Sequence, residues 1–186
     1  ADEIYEHIVF DGQAHVAMRS LPGMAERTVS IGGLSKTYSV TGWRVGWMVV
    51  PDRLVRPIER LAQSLFISVP YLSQVAAEAA FEGAAEMEAI KRGYQENRRI
   101  LIEGLPKAGL TKFLPADGAF YLYADVSDFT ADSFEFAGRM LEKAHVAATP
   151  GVDFDPIHGR SFIRFSYARS ADEMREAVTR IARWLG

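Results

Sequence analysis

The alternation of apolar and polar side chains is most regular near the end of the chain. Between Ser161 and Tyr167 it has a period of two, which predicts a β-strand. This strand would have two faces, one of Phe162, Arg164 and Ser166 and the other of Ile163, Phe165 and Tyr167. Similar patterns predict strands at 119–126 and 146–149, a helix at 134–144, and a last helix that begins at a capping-box sequence, Ser170 to Glu173. Residues 105–186 are therefore predicted to form a small α/β domain.

The earlier part of the chain is dominated by helical spacing. Apolar residues recur with this spacing from Leu54 to Leu65, where Pro57 is expected to lie in the first turn of the helix. An alanine-rich apolar face follows at 72–80, and a longer helix is predicted at 84–103. Two short strands precede the helices, at 28–31 and 45–50, and we expect them to belong to a parallel sheet. We place a domain boundary after Gly104, which gives domains at 1–104 and 105–186.

Composition narrows the functional classes. The chain has 186 residues and a net charge of −3, which gives no electrostatic reason to expect binding to nucleic acid or to an anionic membrane. It contains no cysteine, which excludes disulfides, thiolate metal sites and cysteine nucleophiles and leads us to expect a cytoplasmic protein. No metal is expected, because metal-ligand spacing is absent from the histidines, His7, His15, His145 and His158.

A lysine in a turn of small residues is the strongest chemical signal. Lys36 follows Gly32, Gly33 and Ser35 and precedes Arg44. A lysine amine becomes a nucleophile when desolvation or a neighbouring positive charge lowers a pKa that is otherwise about 10.4. The hydroxyl of Ser35 and the forked guanidinium of Arg44 could also bind a phosphate group, and glycines would let the backbone approach a ligand closely.

Two other interpretations of this turn are weaker. The sequence Gly-Leu-Ser-Lys-Thr is similar to a phosphate-binding P-loop, but that motif needs a glycine immediately before the lysine, where this chain has Ser35. Taken alone, Lys36 could also be a solvated side chain in a surface turn.

Three short motifs follow one another along the chain. They are Asp-Glu-Ile-Tyr-Glu at 2–6, Ser-Lys-Thr-Tyr-Ser-Val-Thr-Gly-Trp-Arg-Val-Gly at 35–46, and Ile-Arg-Phe-Ser-Tyr-Ala at 163–168. In this order they resemble the C-terminal half of a class I/II aminotransferase, a pyridoxal-phosphate enzyme of fold type I. The resemblance implies an α/β fold: the C-terminal part of a three-layer α/β/α large domain at 1–104, ending in a long linking helix, and a small C-terminal α/β domain at 105–186.

The resemblance implies a role for each residue that matches a family motif. Lys36 would form the internal aldimine with pyridoxal 5′-phosphate and would later move a proton between the substrate Cα and the cofactor C4′. Asp2 would keep the pyridine nitrogen protonated, and Tyr5 would donate a hydrogen bond to the phenolic oxygen. Ser35 and Arg44 would bind the phosphate.

The resemblance also implies a substrate site at Arg164. This arginine would bind the α-carboxylate of the substrate as a bidentate pair, whereas the structural alternative is an ion pair within the chain. The implied reaction transfers an amino group between an amino acid and a 2-oxo acid, in a complete protein that is expected to be a homodimer.

Two alternatives of function stay open. The same scaffold and lysine serve in pyridoxal-phosphate-dependent carbon–sulfur lyases, because fold and cofactor do not fix the reaction. Aminotransferase-like domains also occur as sensing modules of transcriptional regulators.

The resemblance further implies that the N-terminal half of the family fold is missing from this chain. Apolar side chains at 72–80 would then be partly uncovered, and exposed apolar patches mark association. We therefore expect residues 1–186 alone to self-associate, to bind pyridoxal phosphate weakly and to show no transaminase activity.

Overall fold

The computed structural model describes the whole chain, from Ala1 to Gly186. The residues form two compact units, Ala1–Ala89 and Ile90–Gly186, and each combines helices with a small sheet. The α/β class is therefore as expected. The domain boundary after Gly104 remains a prediction.

The first unit contains a pair of antiparallel strands. β1 (Ser30–Gly33) pairs with β2 (Gly46–Val49), and Gly33 lies opposite Gly46. Asp2 forms an isolated parallel bridge with Ile31. The expectation of parallel strands is wrong for β1 and β2, because the connection at 34–45 turns back on itself instead of crossing over through an α-helix.

Two helices follow these strands. α1 (Asp52–Leu65) begins directly after Pro51, earlier than we expected, and contains Pro57 in its second turn. A proline at this position has no N–H to donate to the carbonyl of Arg53, so one hydrogen bond of the helix is lost there. In α2 (Tyr71–Ala80) only Ser73 is buried, and no residue of α1 is buried.

Large apolar side chains of the first unit are exposed. The exposed fraction is 77% for Leu65 and 75% for Leu72, and Val75 and Phe81 are also exposed. The alanine-rich face at 72–80 is therefore only partly covered, as we expected. The fully buried apolar positions of this unit are few.

The second unit has a three-stranded antiparallel sheet of its own. β3 (Tyr121–Asp125) and β4 (Thr149–Pro150) both pair with the central β5 (Phe162–Ser166). The predicted alternation in β5 is confirmed, because Ile163 and Phe165 are buried while Arg164 is half-buried on the other face. The buried face of the sheet packs into an apolar core.

Helices complete the second unit. Its first helical segment is the end of α3 (Ala84–Gly104), where the buried amide of Asn97 donates hydrogen bonds to the carbonyls of Tyr167 and Arg169, just after β5. α4 (Ser133–Ala144) and α5 (Ala171–Leu185) follow, and the predicted capping box of α5 is present. None of these helices combines the length and the apolar character that a membrane span requires.

Candidate cofactor and substrate site

The loop between β1 and β2 carries three of the predicted site residues. The strand pairing continues one step beyond Gly33, because the backbone N–H of Leu34 donates to the carbonyl of Val45 at 3.3 Å. The next residues along each side of the loop are Ser35 and Arg44. The antiparallel pairing therefore places the two predicted phosphate-binding residues on the two sides of the base of one loop.

Thr41 connects those two sides. Its hydroxyl donates to the carbonyl of Ser35 at 3.3 Å, and its own carbonyl accepts from Nη1 of Arg44 at 2.9 Å. Arg44 has a left-handed backbone (φ 56°), which is uncommon for a residue other than glycine. Sequence reasoning did not single out Thr41, although it lies inside the motif that carries the resemblance.

Lys36 lies in a hydrogen-bonded turn that starts directly after β1. Its carbonyl accepts from the N–H of Ser39 at 3.3 Å, and the carbonyl of Leu34 accepts from the N–H of Tyr38 at 3.2 Å. Lys36 is half-buried, and the following Thr37 is buried. The turn therefore fixes the backbone from which the lysine amine extends.

Asp2 lies beside the strand that leads into this turn. The N–H of Glu3 donates to the carbonyl of Ile31 at 2.8 Å, and the N–H of Ile31 donates to the carbonyl of Ala1 at 2.8 Å. One carboxylate oxygen of Asp2 accepts from the N–H of Ile4 at 3.2 Å. Tyr5 follows and is half-buried. The two motifs at 2–6 and 35–46 therefore meet in the first unit.

Glu3, next to Asp2, is tied to a different segment. Its carboxylate accepts from the N–H of Met18 at 2.7 Å, and Nε2 of His15 lies 3.6 Å away. The hydrogen bond from Met18 lowers the pKa of Glu3 below its usual value. Glu3 therefore helps to hold the segment that carries Asp2.

The glycines before Lys36 lie against side chains of the protein itself. A Cβ on Gly32 would lie 2.5 Å from the indole nitrogen of Trp47, and one on Gly33 would lie 3.1 Å from Cδ1 of Ile4. Because glycine has no side chain, Trp47 packs against Gly32 and Ile4 packs against Gly33. That these glycines also let the backbone approach a ligand stays a prediction.

Arg164 lies in the second unit, on β5. Its Cζ atom lies 4.1 Å from the ring centroid of Tyr121 and 4.0 Å from that of Phe154. None of the ion pairs of the chain involves Arg164, and its buried Nε has no hydrogen-bond partner. The structural alternative for Arg164, an ion pair within the chain, is therefore not what the structure contains.

The groups of the first unit suit pyridoxal phosphate chemically. Lys36 offers an amine for its aldehyde, Ser35 and Arg44 offer a hydroxyl and a guanidinium for its phosphate, and Asp2 offers a carboxylate for its ring nitrogen. Arg44 keeps N–H groups beyond the one that donates to Thr41. No group of three or more His, Cys, Asp and Glu side chains could hold a metal ion.

Comparison with known proteins gives the same family for the whole chain. Residues 1–181 match the family model described as aminotransferase class I and II. The chain is 41% identical to the valine–pyruvate aminotransferase of Mycobacterium tuberculosis, over 100% of this chain and 48% of that protein. It is 37% identical to the arginine–pyruvate transaminase of Pseudomonas aeruginosa, over 98% of this chain and 46% of that protein.

Solved structures agree. A crystal structure of an aminotransferase from Mycobacterium tuberculosis superposes with a TM-score of 0.93 at 41% identity, over 99% of this chain and 48% of that one. A crystal structure from Silicibacter pomeroyi superposes with a TM-score of 0.91 at 49% identity, over 99% of this chain and 49% of that one. The chain belongs to the class I and II aminotransferase family. It spans about half the length of these relatives.

Proposed function

We propose that the protein containing this chain is a pyridoxal-phosphate-dependent aminotransferase, which moves an amino group between an amino acid and a 2-oxo acid. The observation that carries the proposal is the pairing of the Asp2 segment with β1. This pairing brings the carboxylate motif beside the strand that leads into the Lys36 turn. Family membership over residues 1–181 supports it.

The proposal gives the predicted cofactor residues of the first unit the following roles. Lys36 would hold the cofactor covalently through Nζ. Once the substrate amine has replaced Nζ on the cofactor, the released lysine amine would take the proton from the substrate Cα. Ser35 and Arg44 hold the phosphate, on a loop that Thr41 braces. Asp2 keeps the ring nitrogen protonated. The bound cofactor supplies an electron sink for the carbanion that forms when the Cα proton leaves.

Tyr5 and Arg164 have separate roles in the proposal, Tyr5 towards the cofactor and Arg164 towards the substrate. Tyr5 donates its phenolic hydrogen to the cofactor's phenolic oxygen, and Arg164 binds the substrate carboxylate through its forked N–H groups. The absence of an internal carboxylate partner leaves Arg164 available for this role.

L-Valine and pyruvate form the first substrate pair to test. The relative with 41% identity over 100% of this chain carries the name valine–pyruvate aminotransferase. We expect the complete protein to convert the pair to 3-methyl-2-oxobutanoate and L-alanine. A panel of other L-amino acids with pyruvate would define the range of donors.

The lysine is tested by chemical trapping. Borohydride reduction of the complete protein with its cofactor, followed by peptide mass mapping, should place a pyridoxyl group on Lys36. Lys36→Ala should keep the fold and abolish amino transfer, whereas Lys107→Ala, which changes an exposed lysine of the second unit, should leave the rate unchanged. A pyridoxyl group found on another lysine would show that Lys36 has no such role.

We also propose that the complete protein is a homodimer, as the family resemblance implies. The exposed apolar side chains of α1 and α2, among them Leu65 and Leu72, do not by themselves support this, because the rest of the complete protein would also cover such side chains. Sedimentation equilibrium of the complete protein would decide this, and a mass of one chain at micromolar concentration would contradict it.

A further inference from the structure

We propose that Tyr121 and Phe154 are positioning residues, which hold the Arg164 guanidinium in the orientation in which it receives a carboxylate. The proposal rests on the proposed function, because it takes the substrate carboxylate as the partner of Arg164. Sequence analysis gave neither aromatic residue a role.

The contacts of Arg164 favour this role over a purely structural one. Each of the two ring centroids lies about 4 Å from Cζ. A ring attracts the guanidinium charge through its π-face and uses none of the N–H donors. The Nε atom of Arg164 is buried, so a ligand arriving from solvent does not reach it. The N–H groups of Nη1 and Nη2 are the donors that remain for a ligand.

The first ring is fixed by the sheet. Tyr121 lies on β3, opposite Ser166, and Arg164 lies opposite Tyr123 on the same pair of strands. Residues two apart share a face, so Tyr121 and Arg164 are diagonal neighbours across the strands. The strand pairing therefore sets the distance between this ring and the guanidinium.

The second ring, that of Phe154, lies on a loop that hydrogen bonds and a close backbone contact hold in place. Phe154 donates its N–H to the carbonyl of Gly151 at 2.9 Å, and the hydroxyl of Ser133 donates to the carbonyl of Gly159 at 2.8 Å. Gly151 and Gly159 approach so closely that a Cβ on either would collide with the backbone of the other. Phe154 thus has a fixed backbone although half of its surface is exposed.

Asp155, the next residue, braces the same loop from the other side. Its carboxylate accepts from the N–H of Ile157 at 2.8 Å and from that of His158 at 3.0 Å. These backbone donors, the one from His158 first, lower the pKa of Asp155 below its usual value. The carboxylate is committed to the loop, which removes it as a competitor for Arg164.

The functional consequence is pre-organisation. An arginine side chain has several rotatable bonds, and binding a carboxylate at both oxygens requires one orientation of its planar fork. Two rings that hold the fork before the ligand arrives reduce the ordering that binding must impose. Their loss should therefore weaken carboxylate binding without changing the proton transfer at Lys36.

The experiment removes the aromatic ring of Phe154 and, as a control, that of Phe162, in the complete protein with its cofactor. L-Valine is the probe for the carboxylate, and isobutylamine, which lacks the carboxylate, is the second probe. We expect Phe154→Leu to raise KM for L-valine about tenfold with kcat unchanged, and to leave the inhibition constant of isobutylamine unchanged. Phe154→Trp, which restores a ring, should restore KM.

Phe162→Leu is the matched control. Phe162 lies on β5, the strand that carries Arg164, but its ring stacks on Tyr123 and not on Arg164. It should leave KM for L-valine unchanged. Equal changes in KM for Phe162→Leu and Phe154→Leu, or a change in kcat alone, would overturn the positioning role.

The proposed function fails in a different way. If the wild-type protein transfers no amino group from L-valine or from any other amino acid of the panel, or if Arg164→Lys leaves KM unchanged, then the carboxylate role of Arg164 is wrong. Intact activity with an unchanged KM in both Phe154→Leu and Tyr121→Leu would overturn only the positioning of Arg164.

Discussion

The two compact units differ most in how completely they bury their own apolar side chains. In the first unit the large apolar side chains that are buried are few, namely Ile8, Phe10, Leu34 and Pro51. The sheet of the second unit buries Leu122 and Ile163 almost completely. The first unit carries all of the proposed cofactor residues, and the second carries a self-contained core. The proposed cofactor residues therefore lie in the unit that buries fewer of its own apolar side chains.

Helix ends show the same difference. α4 is capped by Asp132, whose carboxylate accepts two backbone N–H groups, and α5 is capped by Ser170. α1 and α2 instead begin after prolines, Pro51 and Pro70, without a side-chain cap. The helices of the second unit satisfy their own ends, which reduces their dependence on neighbouring protein.

Separating the units should have the largest effect. We expect Ile90–Gly186 alone to be monomeric and to unfold cooperatively in urea, because it contains a closed core. Ala1–Ala89 alone should show no cooperative transition and should associate through its exposed apolar side chains. Circular dichroism and light scattering on the two fragments measure this. A monomeric, cooperatively unfolding Ala1–Ala89 would remove the contrast between the units.

Truncating one leucine in each unit should give the next largest difference. Leu122→Ala removes a buried side chain and should lower the free energy of unfolding by about 2–5 kcal/mol. In residues 1–186, at a concentration at which the chain does not associate, Leu72→Ala on the exposed face of α2 should change it by no more than about 0.5 kcal/mol. Urea unfolding of the two variants provides the measurement. Similar losses for both would mean that the exposed face of α2 is covered in solution.

Removing a helix cap should have a smaller effect. Ser170→Ala deletes the hydroxyl that accepts from the N–H of Glu173 and should cost about 1 kcal/mol. Thr179→Ala, in the same helix, deletes a hydroxyl that bonds only to the Arg175 carbonyl one turn earlier, and should cost much less. Thermal unfolding of both variants tests this. A greater loss for Thr179→Ala would contradict the capping role.

The pH dependence of the first unit should be the most modest effect. The folded pKa of Glu3 lies below its usual 4.5, so the unfolded chain binds the proton more readily. The stabilisation is present above 4.5 and is lost as the pH falls through the lower folded pKa. Glu3→Gln keeps an acceptor for Met18 but cannot titrate, so its urea midpoint should change less with acid. A midpoint that changes as much as that of the wild type would show that other carboxylates carry the effect.

The sequence predicted those elements whose signals are local. The period of two at Ser161–Tyr167 and the capping box at Ser170 each depend on residues that are close in the chain, and both are present in the structure. The Lys36 turn was also found because its small residues are contiguous. The start of α1 was not predicted, because Pro57 could equally mark the first turn or lie inside a helix that begins at Asp52.

Contacts across strands could not be read from the sequence in the same way. The approach of Trp47 to Gly32 and of Tyr121 to Arg164 depends on the register of two strands, which spacing within one strand does not give. Phe154 lies outside any regular element, so no periodicity indicated its contact with Arg164. Thr41 was visible in its motif, but its bracing of Ser35 and Arg44 required the closed loop.

The tryptophan that packs against Gly32 also makes the two units distinguishable by fluorescence. Trp47 lies in the first unit near Phe81, with 6.0 Å between ring centroids, while Trp184 packs on Phe136 in the second unit at 5.1 Å. The remaining tryptophan, Trp43, is exposed. A Trp43→Phe variant would carry one indole fluorophore in each unit. A second change, Trp184→Phe or Trp47→Phe, would leave a single indole, whose change in emission during denaturation would report on one unit without any added dye.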